Sequence, residues 1–447
     1  MAKSAHARAV RSALVVALTA GLAGCSDSLP SLPKLGDLNP FAEKQQPLPG
    51  KRIPVMTEQT GIGADMSSSE RPLTLSPPIA NDSWSQPGGT ANNSPGHLAL
   101  GGSLKQAWST DAGTGSTGYG KLTASPIVAG GKIFVLDTTG KVTAISASGG
   151  GIAWRATTTP DGEKDREGYG GGLAADNGRV YAATGFGVVV ALDAGSGKKL
   201  WERVIGVPMR ASPTAAGDRV YVTTIEGTAL ALNGADGKDV WQVRGVAERA
   251  SLVGNASPAV DQDAVVFPFS SGDILAIKVS NGMSMWSESL ARTRSASSLA
   301  ALSDAARPVV DGGTVFAVGH AGRMVATSLK TGERLWSVSV PGTQAPAVAG
   351  DGVFVVDTTG VLYGFTRREG KVAWQAKLPG NGTWAGPVAA GGKLWLGSSS
   401  GQIVSVDPAT GKPASTIDLG QPVYIAPIVA GGRMYVLTDK ARLVALN

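Results

Sequence analysis

The chain is 447 residues long, with 62 glycines and only 17% charged residues, a balance that points to many short strands joined by tight turns and away from a helical protein. Its formal charge is +6, but Lys3, Arg8 and Arg11 all lie in the first 25 residues, where there is no acidic residue; without them the balance is too even to imply nucleic-acid binding. Cys25 is the single cysteine, which excludes an intrachain disulfide and a cysteine-based metal site.

The first element is a basic start followed by the apolar run Ala13–Ala20, too short to cross a bilayer of about 30 Å as a helix. With the small residues after it, this reads as a secretory signal peptide over residues 1–24. The run ends Leu22-Ala23-Gly24-Cys25, which resembles the lipobox of bacterial lipoproteins. That resemblance implies that Cys25 is acylated, as by palmitate, and becomes the mature N-terminus, and several buried acyl chains hold a protein at a membrane far better than one. In enterobacterial lipoproteins an Asp directly after the cysteine retains the protein at the inner membrane; Ser26 stands there instead, which implies the periplasmic face of the outer membrane. Residues 25–80 are rich in Pro, Ser, Lys and Gln without an apolar period, the composition of a disordered tether, with a flexible-chain span of roughly 40 Å.

From residue 104 onward the sequence repeats. Proline precedes tryptophan by 28 residues at Pro126 and Trp154, Pro213 and Trp241, Pro258 and Trp286, Pro308 and Trp336, and Pro346 and Trp374. Leu173 replaces the proline before Trp201, Ser415 replaces the tryptophan after Pro387, and an eighth unit opens at Pro427 but lacks its tryptophan before Asn447. Each unit reads as three β-rich runs separated by Gly-containing turns, plus a short run after the proline. Four strands per repeat of ~40–50 residues are the signature of a β-propeller. The fold predicted is therefore all-β: an eight-bladed β-propeller of four-stranded antiparallel blades over 81–447. Leu104-Lys105-Gln106-Ala107-Trp108 is predicted as an N-terminal strand that completes the eighth blade and closes the ring, removing the free edges of an open array. The recurring tryptophans are expected to pack between blades. Gly140, Gly227, Gly272, Gly322, Gly360 and Gly401 are expected to supply positive φ at equivalent turns.

Catalytic and metal chemistry finds little support. The three histidines, His6, His97 and His320, are not paired at ligand spacing. Gly113-x-Gly115-x-x-Gly118 matches a dinucleotide fingerprint without a βαβ context, and Gly115–Lys121 falls short of a P-loop because Leu122 stands where Ser or Thr must be. The acidic stretch Asp161–Glu167 is a poor calcium loop. No cofactor, metal or catalytic residue is assigned.

The stretch Ala191-Leu192-Asp193-Ala194-Gly195-Ser196-Gly197-Lys198-Lys199-Leu200-Trp201 resembles the repeat of pyrroloquinoline-quinone-type propellers. Together with the lipobox, the whole chain resembles the BamB family, propeller lipoproteins of the outer-membrane β-barrel assembly machinery. This resemblance implies a non-enzymatic scaffold that binds the periplasmic domains of BamA and aids insertion of outer-membrane proteins, with unfolded outer-membrane proteins as further partners. The family's BamA contacts lie on loops between blades. Ala250-Ser251-Leu252-Val253-Gly254 stands where the family has Leu-Ser-Leu-Arg-Gly, with Val253 replacing the arginine, and Leu302-Ser303-Asp304 matches a second family motif. By that resemblance the partner-binding residues are Leu252, Val253, Gly254 and Asp304. Arg249, Arg292, Arg294 and Arg307 lie on the same loops and could offer charge to an acidic partner. Two alternatives stay open: a quinone-dependent dehydrogenase, whose opening segment Asn81–Gly89 resembles, and a receptor for a small ligand.

Overall fold

A computed structural model describes residues 72–245, 256–290, 305–320 and 322–447. Their strands form eight four-stranded antiparallel sheets. Seven are uninterrupted in sequence, spanning 127–157 (blade 1), 171–204, 214–244, 259–289, 309–338, 347–377 and 384–418 (blade 7). The eighth combines Ile428–Ala430, Arg433–Leu437 and Arg442–Leu446 with the N-terminal strand Gln106–Asp111. The sequence-based expectation of an eight-bladed propeller, closed by the strand that carries Trp108, is met.

Proline decides where six of the innermost strands begin. Without an N–H it cannot join the ladder, so the innermost strand starts one residue later: Ile127 after Pro126, Thr214 after Pro213, Ala259 after Pro258, Val309 after Pro308, Ala347 after Pro346 and Ile428 after Pro427. Each of these strands is three residues long. Blade 2, where Leu173 replaces proline, has the six-residue strand Gly171–Asp176. In blade 7 Pro387 lies inside Trp384–Ala390, follows a cis peptide bond, and coincides with a shift in register between Ala385 and Val388.

The tryptophans fix both the blade and the ring. Each stands opposite a small residue of the third strand of its blade, as Trp154 does Ala144, Trp241 Ala231 and Trp374 Gly364, and the register shifts just beyond that pair. Except for Trp286, whose blade has Val266 at the equivalent place, its ring meets an aromatic ring of the second strand, with centroids 5.6 Å apart for Phe134 and Trp154 and 5.9 Å for Tyr221 and Trp241. Its other side covers a glycine in the turn between the last two strands of the next blade. Its indole N–H donates to the carbonyl three residues before that glycine: Trp154 to Ala194 at 3.2 Å, Trp201 to Gly234 at 3.0 Å, Trp374 to Pro408 at 2.9 Å. Trp108 follows the same plan, opposite Ala445 and 5.9 Å from Tyr435. Its N–H alone departs from it: the carbonyl of Ala147 already accepts from Arg433 and Tyr435, and Trp108 Nε1 has no partner among the described residues. Ser415, in place of a tryptophan, faces blade 8, whose third and fourth strands are not joined by a turn; its hydroxyl meets that of Ser405 at 2.6 Å instead.

Candidate functional site

The innermost strands of a propeller leave one row of backbone N–H and C=O groups facing the axis, and buried groups of this kind need partners. Here residues 72–98 supply them. Backbone and side chains of this segment pass from blade to blade around the axis. Asn81 Nδ2 donates to Val429 O at 2.8 Å and Asn81 O accepts from Gly431 N at 2.7 Å in blade 8. Trp84 exchanges both backbone bonds with Val128 of blade 1, at 2.8 and 2.7 Å. Ala175 N of blade 2 donates to Ser85 O at 2.8 Å, Val260 N of blade 4 to Ala91 O at 2.7 Å, and Val310 N of blade 5 to Asn92 O at 2.9 Å. Leu98 N donates to Ala389 O of blade 7 at 3.0 Å.

Three buried polar side chains do the bridging. Gln86 donates from Nε2 to Ala175 O (3.1 Å) and Ala215 O (2.8 Å) and accepts at Oε1 from Ala215 N (3.0 Å), tying blade 2 to blade 3. Asn93 Nδ2 donates to Pro258 O (3.2 Å) and Pro308 O (2.9 Å), tying blade 4 to blade 5. His97 lies 2.6 Å from Ser76 O through Nδ1 and accepts from Gly392 N through Nε2 at 2.8 Å, so the pattern asks for the Nδ1–H tautomer. In blade 6 the contact is with Asp351, which accepts from Thr74 N (2.7 Å) and Thr74 Oγ1 (3.0 Å). Leu73 is buried in the hydrophobic cluster shared by blades 6 and 7, so the packed chain begins ahead of residue 81. We call residues 72–98 the axial segment.

Above the axial segment lies a cavity of about 60 Å3. Its floor is Trp84, Pro87, Gly88, Asn93, Pro95 and Gly96. Its walls include Arg307, Gln344, Ala345, Gly386 and Ala426, residues at the ends where the innermost strands of blades 5 to 8 begin. The cavity therefore sits at the end of the ring where one blade connects to the next.

Of the partner-binding residues expected from sequence, Leu252, Val253, Gly254, Arg249, Asp304, Arg292 and Arg294 lie outside the described residues, as does Cys25. Arg307 is described, just ahead of the innermost strand of blade 5. The residue is half-buried, Nε is sealed from solvent without a hydrogen-bond partner among the described residues, and the side chain lines the axial cavity. Burial lowers its guanidinium to about 10, so it remains a cation at neutral pH. Sequence reasoning misses this because it sees the loop before Pro308, not the walls of blades 6 and 7 across from it. The glycines of the dinucleotide-like and P-loop-like matches lie in the irregular stretch between Asp111 and Ile127, with Gly115 pressed on the backbone of Asp439 and Lys440. The acidic stretch forms a single 3-10 turn, Asp165–Glu167, where Lys141 Nζ lies 3.4 Å from Asp165.

The fold admits the question of a quinone and its metal. Among the described residues no three His, Cys, Asp or Glu side chains converge to hold a metal ion. The axial segment occupies the channel, and the cavity left beside it is far smaller than a tricyclic quinone. The described residues do not fit that group.

Comparison with known proteins places these features in a family. The family profile described as "Outer membrane protein assembly factor BamB" matches residues 102–167, 160–376 and 358–447. Among solved structures, BamB from Moraxella catarrhalis superposes with a TM-score of 0.67 at 21% identity, covering 77% of this chain and 100% of that one. Quinohemoprotein alcohol dehydrogenase from Comamonas testosteroni superposes with a TM-score of 0.63 at 12% identity, covering 82% of this chain and 80% of that one. At these identities both likenesses show the fold alone. An uncharacterised protein of Rickettsia prowazekii (strain Madrid E) is 25% identical over 167 residues, which is 37% of this chain and 40% of that protein.

Proposed function

The chain belongs to the family of the outer membrane protein assembly factor BamB, and from that premise we propose that it is a non-enzymatic scaffold of the outer-membrane β-barrel assembly machinery, held by an acylated Cys25 at the periplasmic face of the outer membrane. The observation that carries this reading is the family match, which runs through every blade from residue 102 to 447. The lipobox-like Leu22–Cys25 and the Pro- and Ser-rich stretch behind it support an anchor and tether. BamA is the proposed partner, through the blade connections that carry Leu252, Val253, Gly254 and Asp304, with Arg249, Arg292 and Arg294 adding charge. Arg307 is left out of that surface because of its place in the cavity. Unfolded outer-membrane proteins are proposed as further clients. The dehydrogenase reading has the shared fold and the likeness of Asn81–Gly89 to an opening segment behind it.

The test is affinity purification of the tagged full-length protein from detergent-solubilised membranes. A BamA-type subunit is expected in the eluate, and at least tenfold less of it with Leu252→Asp combined with Asp304→Lys, because interface centres tolerate such changes poorly. Cys25→Ser is expected to release the protein from the membrane while leaving partner binding in solution intact. Recovery of no barrel-assembly subunit would overturn the scaffold reading. Unchanged recovery by the double variant would move the contact face elsewhere.

A further inference from the structure

An unpaired cation in an apolar cavity is costly. Moving an ion out of water carries a penalty of several kcal/mol unless an opposite charge or hydrogen bonds offset it. Arg307 is in this position: no carboxylate among the described residues forms an ion pair with it, its Nε has no acceptor there, and burial is the sole cause of its lowered pKa. Its surroundings are mostly apolar, with Trp84, Pro95, Pro346, Val348 and Pro387 in the cavity wall. Two polar side chains share the lining: Asn93, whose Nδ2 is already spent on Pro258 O and Pro308 O, and Gln344, whose Oε1 accepts from Gly386 N at 3.4 Å, which leaves its Nε2 as the donor end.

We propose that the axial cavity is a binding site for a small monocarboxylate, with Arg307 supplying the counter-charge, Gln344 a second donor, and the proline and tryptophan walls a seat for a short alkyl group. Three features select this class. The cavity, at about 60 Å3, is small but has room for more than one water, which suits a compact carboxylate rather than an extended ligand. A guanidinium presents a planar fork that fits a planar carboxylate in bidentate fashion. One cation balances one negative charge, whereas a phosphate dianion would need further donors that these walls do not carry. The site lies at the connection end of the ring, and the axial segment closes it from below, so a ligand would enter from the end at which the blade connections lie.

Titration calorimetry on the full-length protein in detergent tests this with sodium acetate, its neutral isostere acetamide, and inorganic phosphate, at constant ionic strength. Acetate is expected to bind and acetamide not to. Arg307→Met is expected to weaken acetate at least tenfold while the protein stays folded, since replacing a half-buried charge that has no ion-pair partner among the described residues by an apolar side chain of similar length is neutral or stabilising. Arg307→Lys is expected to retain part of the affinity. Equal binding of acetate and acetamide would overturn the proposal, as would unchanged acetate affinity in Arg307→Met. Phosphate binding in preference to acetate would overturn the carboxylate assignment. Acetate binding that appears only in Asp304→Asn would also overturn it, by assigning the counter-charge to the chain itself.

Discussion

A single tryptophan ring here touches an aromatic ring inside its own blade, a small residue across the ladder, and a glycine of the next blade. At Trp374 these are Phe354, Gly364 and Gly411. Gly411 has φ +73, and a Cβ on it would stand 2.5 Å from the indole, so any other residue there meets both backbone strain and a clash. Trp374→Ala is expected to cost about 3–5 kcal/mol, and Trp374→Phe about 1 kcal/mol for the lost bond to Pro408. Gly411→Ala strikes the same contact from the other side. The two alanine substitutions should therefore cost clearly less together than the sum of the singles in a denaturant double-mutant cycle. A second residue reports through pH. Burial raises the Asp176 carboxyl, assisted by the like charge of Asp218 and opposed by backbone hydrogen bonds. A carboxyl that holds its proton more tightly when folded stabilises the fold below its unfolded pKa, and that contribution is lost as pH rises through the folded value. Asp176→Asn should thus raise the thermal midpoint relative to the parent at pH 7 more than it does at pH 3, and an equal shift at both would disprove the burial account.

The elements that a repeat defines are legible in the amino-acid sequence. Proline, glycine and tryptophan recur because each answers a backbone or packing demand made once per blade, and even the missing tryptophan at Ser415 falls where blade 8 has no turn to receive it. The closing strand is legible for the same reason, since Trp108 carries the register of its fellows. The axial segment has no counterpart in other blades, so no period announces it. Asn81, Gln86 and Asn93 look like ordinary loop residues until the ring places carbonyls from distant blades beside them. Arg307 is similar: its loop is visible in the sequence, its cavity is not. The loops proposed to meet a partner lie outside the described residues, so their reading rests on resemblance. The axial segment makes a direct prediction. Gln86→Leu leaves Ala175 O, Ala215 O and Ala215 N without their side-chain partner, at about 1–3 kcal/mol for each group stranded away from water. Faster hydrogen exchange of the Ala215 amide and a lower denaturation midpoint should follow, and retention of both would show the bridge to be dispensable.

At the scale of the whole molecule, stability depends on a ring that is closed twice, once at its rim by Gln106–Asp111 against Arg442–Leu446 and once at its axis by residues 72–98. Cysteines at Ser109 and Val444, which are direct cross-strand partners, should lock the rim. With Cys25 replaced by Ser, the oxidised Ser109→Cys/Val444→Cys protein should unfold more slowly than its reduced form, with an upper bound on the order of 5 kcal/mol from loop-closure entropy. No change on oxidation would mean that the rim seam is not where unfolding starts. Both closures come from residues 72–111, and all the blade strands that they bond to come later in the chain. A ribosome builds the amino end first. The strand Gln106–Asp111 therefore stays without its mate until Leu446 has been made, while the axial segment gathers its partners blade by blade from Val128 onward and completes them at Gly431; the last event of assembly is the homecoming of residues that were translated before any blade existed.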